Sequence, residues 1–358
     1  MRNFELKNRF ALAPMTTYSS SEEGYITDEE LQFIESRARD GYGMILSAAN
    51  YVHPWGKAFT GQWRGDIDEA IERNFVPFAQ ICKRYGAASV LQIHHGGRMG
   101  KAALSGRLLS ASAIPALRPG AETPEEMTRE EILETAASFG AATRRARLAG
   151  FDGIEIHGAN TYLLQQFVSP HSNRREDEYG KDKFLFAKQV IKEVLAERGE
   201  MFVGYRLSPE EIETPGIRIE QTLRFVEELC NFDIDYLHLS TRDFRMKSAM
   251  DGTDEPIVQT VLRQIDGRKP LMIVGGIRTK SDLDEAARTG AEFVAIGRSA
   301  LTDPNWLNKI NAGEEPIHKL PRKDIHERTL IPNKLVEKLI GIPDWVEREE
   351  ADSAEIED

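Results

Sequence analysis

The sequence predicts a single (β/α)8 barrel, and three observations carry that prediction. Eight short apolar runs alternate with longer amphipathic stretches along the 358 residues, the pattern of eight strand–helix units. Most of these runs end in polar residues or glycine, as strands do at the mouth of a barrel. No Gly-x-Gly-x-x-Gly follows an early strand, which argues against a doubly wound sheet.

Taken in order, strands are expected over 9–15, 44–51, 89–94, 153–157, 202–207, 236–240, 271–274 and 293–296. Each is a short apolar run suited to a parallel strand buried on both faces. The helices between them are expected over 27–39, 66–85, 128–149, 182–198, 219–231, 255–265 and 281–289. Thr27-Asp-Glu-Glu30 and Thr128-Arg-Glu-Glu131 read as capping boxes, and Ser281-Asp-Leu-Asp284 as a weaker one. Glycines at 41, 86, 150, 199 and 290 suit helix ends. Residues 96–127, rich in Gly, Pro, Ala and Ser, read as a long loop over the mouth. Beyond Trp306 comes a C-terminal extension broken by Pro316, Pro321, Pro332 and Pro343. No linker divides the chain, so one domain is expected over 1–345, followed by an acidic, mobile tail over 346–358.

Composition narrows the function. A net charge of −12 argues against nucleic acid and anionic membranes as partners. Half of that charge is local: residues 347–358 hold seven acids and one arginine. Cys82 and Cys230 lie in helix-like contexts and read as buried free thiols of a reducing cytoplasm. Two cysteines supply neither an iron–sulfur cluster nor a structural zinc site. The first residues lack the apolar stretch of a signal peptide, and no apolar run approaches the ~18 residues of a membrane span. A cytoplasmic enzyme acting on a small molecule is the expectation.

The chemistry is concentrated in Gly150-Phe-Asp-Gly-Ile-Glu-Ile-His157-Gly-Ala-Asn160-Thr-Tyr162. A lone histidine in such a strand is more often a hydrogen-bonded core residue. Asn160 and Tyr162 in the same loop change that reading, because three convergent polar groups are hard to explain by packing. Gly275, Gly276, Gly297 and Arg298 follow the seventh and eighth strands, where barrel enzymes cradle phosphate, although the first two would also serve a tight turn. Gln92 suits the edge of a flavin pyrimidine ring, or the backbone of a neighbouring strand. Arg206 is either an ion-pair partner or a fixed cation beside a ring that becomes negative on reduction. Thr16 also fits a plain turn. The polar run from Ser169 to Gly180 reads as a network pinning the loop after the fourth strand.

These residues resemble the old yellow enzyme family of FMN-dependent ene-reductases. Four segments carry the resemblance, in order and at fitting intervals: Ala13-Pro14-Met15-Thr16, Gln92 to Arg98, Glu155-Ile-His157-x-x-Asn160-x-Tyr162 with its continuation to Gly180, and Gly297-Arg298. The resemblance implies that Pro14, Met15, Thr16, Ala49 and Gln92 contact the flavin ring, with Arg206 as its cation. Gly275, Gly276, Gly297 and Arg298 would bind the FMN phosphate. His157 and Asn160 would hold a substrate carbonyl, Tyr162 would donate a proton, and Tyr18 would face the substrate. NAD(P)H would be the hydride donor, and a homo-oligomer is compatible with the resemblance. Two departures stand out: Asn160 occupies a position that is often histidine, and Lys181 replaces a usual glycine.

The function implied is reduction of the activated C=C bond of α,β-unsaturated carbonyl, nitro or maleimide compounds. The alternatives are an FMN-containing NAD(P)H oxidase passing electrons to oxygen, a flavin-free phosphate-binding isomerase or aldolase, and a non-catalytic flavin binder. An isomerase or aldolase would need a lysine or carboxylate base at a strand end, and none is as well placed as His157.

Overall fold

A computed structural model describes residues 5–249, 254–342 and 345–349. Its eight barrel strands are β1 (Phe10–Leu12), β2 (Met44–Leu46), β3 (Ala88–His94), β4 (Gly153–Gly158), β5 (Phe202–Leu207), β6 (Tyr236–Leu239), β7 (Leu271–Val274) and β8 (Phe293–Ile296). Every neighbouring pair is parallel, and β1 pairs with both β2 and β8, so the sheet closes. Seven helices alternate with the strands: α1 (Asp28–Arg39), α2 (Val76–Arg84), α3 (Arg129–Leu148), α4 (Leu185–Glu197), α5 (Ile219–Cys230), α6 (Ile257–Ile265) and α7 (Lys280–Arg288). Short α8 (Arg298–Thr302) follows β8.

The two-residue periodicity of the strands divides the core in two. Outward residues such as Ile45, Leu91, Ile154, Ile156, Tyr205, Leu237 and Ile273 pack against the helices. Inward residues, among them Met44, Val90, Phe202, Tyr236, Met272 and Phe293, fill the barrel. On β4, Glu155 and His157 alternate with the outward Ile154 and Ile156 and therefore point inward.

Several boundaries differ from expectation for identifiable reasons. The first strand stops at Leu12 rather than 15, because Pro14 has no N–H to continue the ladder. The second breaks after Leu46, where Asn50 Nδ2 bonds Ser47 Oγ (3.1 Å) and the Ala48 carbonyl (2.7 Å). Pairing resumes at Asn50–Tyr51. The helix expected over 66–85 is two pieces: a π-helical turn, Ile71–Phe75, leads into α2. Pro77 accounts for the wider turn, since it has no N–H to donate to the carbonyl four residues back and its ring crowds that carbonyl. The cap of α7 is Thr279, not Ser281: Thr279 Oγ1 accepts from the Asp282 N–H (3.2 Å), and Asp282 bonds the Thr279 N–H in return (2.9 Å). Thr27 and Thr128 do form the expected boxes. Residues 96–127 carry a short helix, Ala102–Ser105, and a two-strand ladder pairing Leu109–Ser110 with Glu125–Glu126.

The C-terminal extension turns back onto the barrel. Its helices are α9 (Trp306–Ala312), α10 (Ile325–Thr329) and α11 (Asn333–Gly341). Asp40 at the end of α1 accepts the Leu307 and Asn308 N–H groups (2.8 and 2.9 Å), capping α9. Buried Leu320, Ile331, Leu335 and Leu339 join the same core as the barrel helices. Residue 343 and most of the acidic tail, 350–358, lie outside the described residues. Cys82 and Cys230 are buried and free. Among the described residues no helix is long and apolar enough to cross a membrane.

Candidate active site

A cleft of about 620 Å³ opens at the carboxyl ends of the strands. Pro14, Met15, Thr16 and Tyr18 from the loop after β1 line it, with Arg206 of β5 and Asn160 after β4. Gly275 and Gly276 after β7, and Gly297 and Arg298 after β8, also line it. Ten of the residues singled out from sequence thus share one cavity. The far wall comes from the extension, through His318, Leu335, Ile342 and Trp345. Sequence reasoning could not place these, because they meet the barrel only through tertiary contacts. Ala49, Gln92, His157 and Tyr162 are not on the cleft wall; the first three are buried and Tyr162 is half-buried.

Hydrogen-bond accounting fixes which face each polar group presents. The Ala159 N–H donates to His157 Nδ1 (3.4 Å), so Nε2 carries the proton of the neutral ring. Burial first, then His94 and Arg206 nearby, hold the His157 pKa well below the usual histidine range. Asn160 has a left-handed backbone (φ 57°), and its Oδ1 accepts from Ser240 Oγ (3.1 Å). Ser240 Oγ in turn accepts from Arg206 Nη2 (3.0 Å). Since Arg206 only donates, the serine hydroxyl must donate onward, and the Asn160 NH2 is left as its outward face.

Tyr162 packs edge-on against His94 (centroids 4.2 Å apart) and His157 (5.2 Å). Burial, with neighbouring Tyr18 adding to it, pushes the Tyr162 phenol up to about 12, so it keeps its proton at neutral pH. His94 was not singled out from sequence. Its Nδ1 takes a bond from Gln62 Nε2 (3.0 Å), since Gln62 Oε1 is occupied by the Ala58 N–H (2.7 Å). Burial lowers the His94 pKa to about 3.

One layer below, Gln92 and Tyr236 flank Glu155 in the strand register, with Gly204 between Glu155 and Tyr236. Glu155 Oε1 accepts from Gln92 Nε2 (2.7 Å), and Oε2 accepts from Tyr236 Oη (3.0 Å) and His238 Nδ1 (2.8 Å). Burial pushes the Glu155 carboxyl up, but His238, Arg206 and the bond from Gln92 outweigh it and hold it below its usual range. Burial lowers Arg206, opposed by Glu155 and Tyr236.

The three glycines have different reasons. Gly275 and Gly276 have φ of 105° and 71°, and a Cβ on either would strike the Thr241–Asp243 backbone or side chain. The turn itself requires glycine there. Gly297 is different: a Cβ would lie 3.7 Å from Ala13 Cβ and 4.0 Å from Met15 Sδ, ordinary contacts. Packing does not require glycine at 297; it leaves open a cradle that a side chain would fill.

The polar segment after β4 is a pinning network, as its composition suggested. Asn173 Nδ2 donates to the Phe167 and Tyr179 carbonyls (2.6 and 2.9 Å), and Arg175 pairs with Asp177 (2.6 Å).

Residues 1–316 match the model of the NADH:flavin oxidoreductase / NADH oxidase family. The NADH:acrylate oxidoreductase of Vibrio harveyi is 39% identical over 85% of this chain, which spans only 32% of that protein. A probable NADH-dependent flavin oxidoreductase of Bacillus subtilis, YqiG, is 37% identical over 95% of this chain and 94% of its own length. Among solved structures, the old yellow enzyme homologue from Zymomonas mobilis superposes with a TM-score of 0.74. That match covers 88% of this chain and 91% of the other at 24% identity, a likeness of fold.

Proposed function

The chain belongs to the NADH:flavin oxidoreductase / NADH oxidase family, and from that premise we propose that it reduces the activated C=C bond of α,β-unsaturated carbonyl, nitro or maleimide compounds. The single observation that carries this reading is that one segment at the end of β4 bears two neutral N–H donors, His157 Nε2 and Asn160 Nδ2, and a phenol, Tyr162, that packs on the His157 ring and keeps its proton.

The residues present fit FMN. The Gly297 cradle, with Arg298 beside it, leaves room for a phosphate where packing does not demand glycine. Arg206 presents a cation on the same cleft, and Pro14, Met15 and Thr16 give its wall a mixed apolar and polar face. Ala49 and Gln92 would support the ring from behind that wall. Bound FMN would supply the hydride chemistry, accepting hydride from NAD(P)H and delivering it to the alkene.

What this chain contributes is position and charge. His157 and Asn160 bind the substrate oxygen and stabilise the negative charge it gains as the β-carbon accepts hydride. Neither needs to lose or gain a proton to do so. Tyr162 holds its proton at Oη and releases it to the α-carbon. Tyr18, on the cleft wall, closes the substrate side. Acrylate, named for the Vibrio protein, falls within this substrate class, although that protein is three times as long as the part matched here.

The test is the visible spectrum of the purified protein, recorded anaerobically. A yellow protein that bleaches with NAD(P)H and regains colour with 2-cyclohexenone supports the assignment. Colour that returns only with air favours the oxidase reading. Tyr162→Phe should slow recolouring by the enone about 100-fold and leave bleaching nearly unchanged. Equal slowing of both half-reactions would refute the proton-donor role, and a protein that cannot take up FMN would sink the proposal.

A further inference from the structure

We propose that Glu155 is a positioning residue of this site: a buried anion beneath His157 and Arg206 that orients Gln92, offsets the Arg206 charge, and so sets the potential of bound FMN. The inference rests on the reading of the cleft as an FMN site.

Glu155 is wholly buried. A carboxylate taken out of water is costly unless it is paired and hydrogen-bonded. Three donors from two strands, Gln92 of β3 and Tyr236 and His238 of β6, meet it, and the barrel is built to allow this. Tyr236 sits two strands away and reaches Glu155 across Gly204. A Cβ at 204 would run into the Tyr236 ring, so glycine there is what opens the path. His238, two residues further along β6, reaches the same oxygen from the layer above.

The charges follow from these contacts. Gln92 and Tyr236 are neutral donors. Burial keeps His238 below its usual pKa despite the carboxylate, so it too is neutral. Beside the His238 Nδ1 donor, the permanent cation acting on Glu155 is Arg206, which shares the inward face of β5 with Gly204. Arg206 lines the cleft; Glu155 does not. A group bound beside Arg206 therefore feels a cation already balanced from below.

The bond to Gln92 has a second consequence. With Nε2 held at 2.7 Å by Glu155, the amide cannot exchange its ends. Its carbonyl oxygen is the end turned away from the carboxylate, as an acceptor.

The experiment measures the midpoint potential and the Kd of FMN in the holoenzyme and in Glu155→Gln, an isosteric neutral replacement. Reduced flavin gains negative charge, so removing the anion should favour it. The expected shift is about tenfold toward the reduced form, or about 30 mV for a two-electron couple. Glu155→Asp keeps the charge but is a methylene too short to hold all three donors. It should leave the potential close to that of the parent and weaken FMN binding about tenfold, and it decides the matter if Glu155→Gln does not fold. Glu155→Gln with FMN bound at an unchanged potential overturns the proposal, because a purely structural role would lower Tm alone. Glu155→Asp with a potential raised as far as by loss of charge overturns the electrostatic account. A parent protein that takes up no FMN overturns this inference together with the reading of the cleft.

Discussion

Replacing Ser240 by alanine tests whether the Arg206–Ser240–Asn160 chain orients the substrate donor. Two bonds are lost, at 3.0 and 3.1 Å. The bond to Asn160 is neutral and worth ~1 kcal/mol net, while that from Arg206 is charge-assisted and worth ~1.5–3 kcal/mol. Without the hydroxyl, the exposed Asn160 amide has no partner to distinguish its oxygen from its nitrogen. An unbiased flip alone would halve the population presenting NH2. Outright removal of a donor to a developing oxyanion costs about 100-fold or more. A donor that is present but unpinned should fall between these limits, at about five- to tenfold, or ~1–1.4 kcal/mol of barrier. The assay is anaerobic stopped-flow, following flavin reoxidation by 2-cyclohexenone and flavin reduction by NADH separately, with Asn160→Ala as reference. Ser240→Thr, which keeps a hydroxyl, should recover most of the rate. An alanine variant that reoxidises at the parent rate, while Asn160→Ala is slow, would show that Ser240 does not orient the amide.

Two further outcomes follow. Gly297→Ala should leave the Tm of the FMN-free protein within about 2 °C, since its Cβ meets nothing closer than 3.7 Å. It should raise the FMN Kd about 10- to 100-fold through loss of one or two charge-assisted phosphate bonds; unchanged affinity in a fluorescence-quenching titration would place the phosphate elsewhere. Acid stability is governed by histidines buried in the neutral form: His94 is lowered from 6.5 to about 3, and His95 and His157 well below 6.5. Between those limits the unfolded chain binds more protons, so stability is full above pH 6.5 and falls as pH drops, by ~1.4 kcal/mol per pH unit for each such histidine. Asp40, raised to about 6 by burial, and Glu30, also raised by burial, oppose this. Calorimetry should therefore show Tm steady from pH 7 to 8.5 and declining steeply below pH 6; an equal Tm at pH 7 and pH 5 would contradict the neutral assignments.

What was legible in the sequence depended on how local its cause is. The strands at Phe202–Leu207, Leu271–Val274 and Phe293–Ile296 match expectation to the residue, because turn-forming residues bound the apolar runs. The break after Leu46 was hidden, since apolar periodicity continues while Ser47 and Asn50 side chains take over backbone partners. His157, Asn160 and Tyr162 could be seen together because a single loop carries them. Ser240, Tyr236 and His238 could not, because they reach β4 only once the barrel closes. Glu155 stood in plain view as a polar residue in period with His157, yet its three partners lie 63, 81 and 83 positions away.

The distribution of these partners says something about how the site selects its ligand. At His157 and Asn160, the atom capable of accepting a hydrogen bond is already occupied from within the chain, by the Ala159 N–H and by Ser240. Both residues are left presenting N–H, whatever enters the cleft. A carbonyl, nitro or carboxamide oxygen satisfies two donors at once, and negative charge on that oxygen strengthens both bonds. An alcohol oxygen can also accept, but it gains no comparable charge during reaction, so the stabilisation specific to the transition state is lost. Under the proposed activity, a preference for alkenes bearing an electron-withdrawing oxygen group would then be a property of the layer behind the site. Ser240 fixes the amide by way of Arg206, and the Ala159 backbone fixes the imidazole tautomer. Changing the acceptor class would mean rewiring these supporting contacts, and exchanging residues on the cleft wall would mainly change which shapes fit.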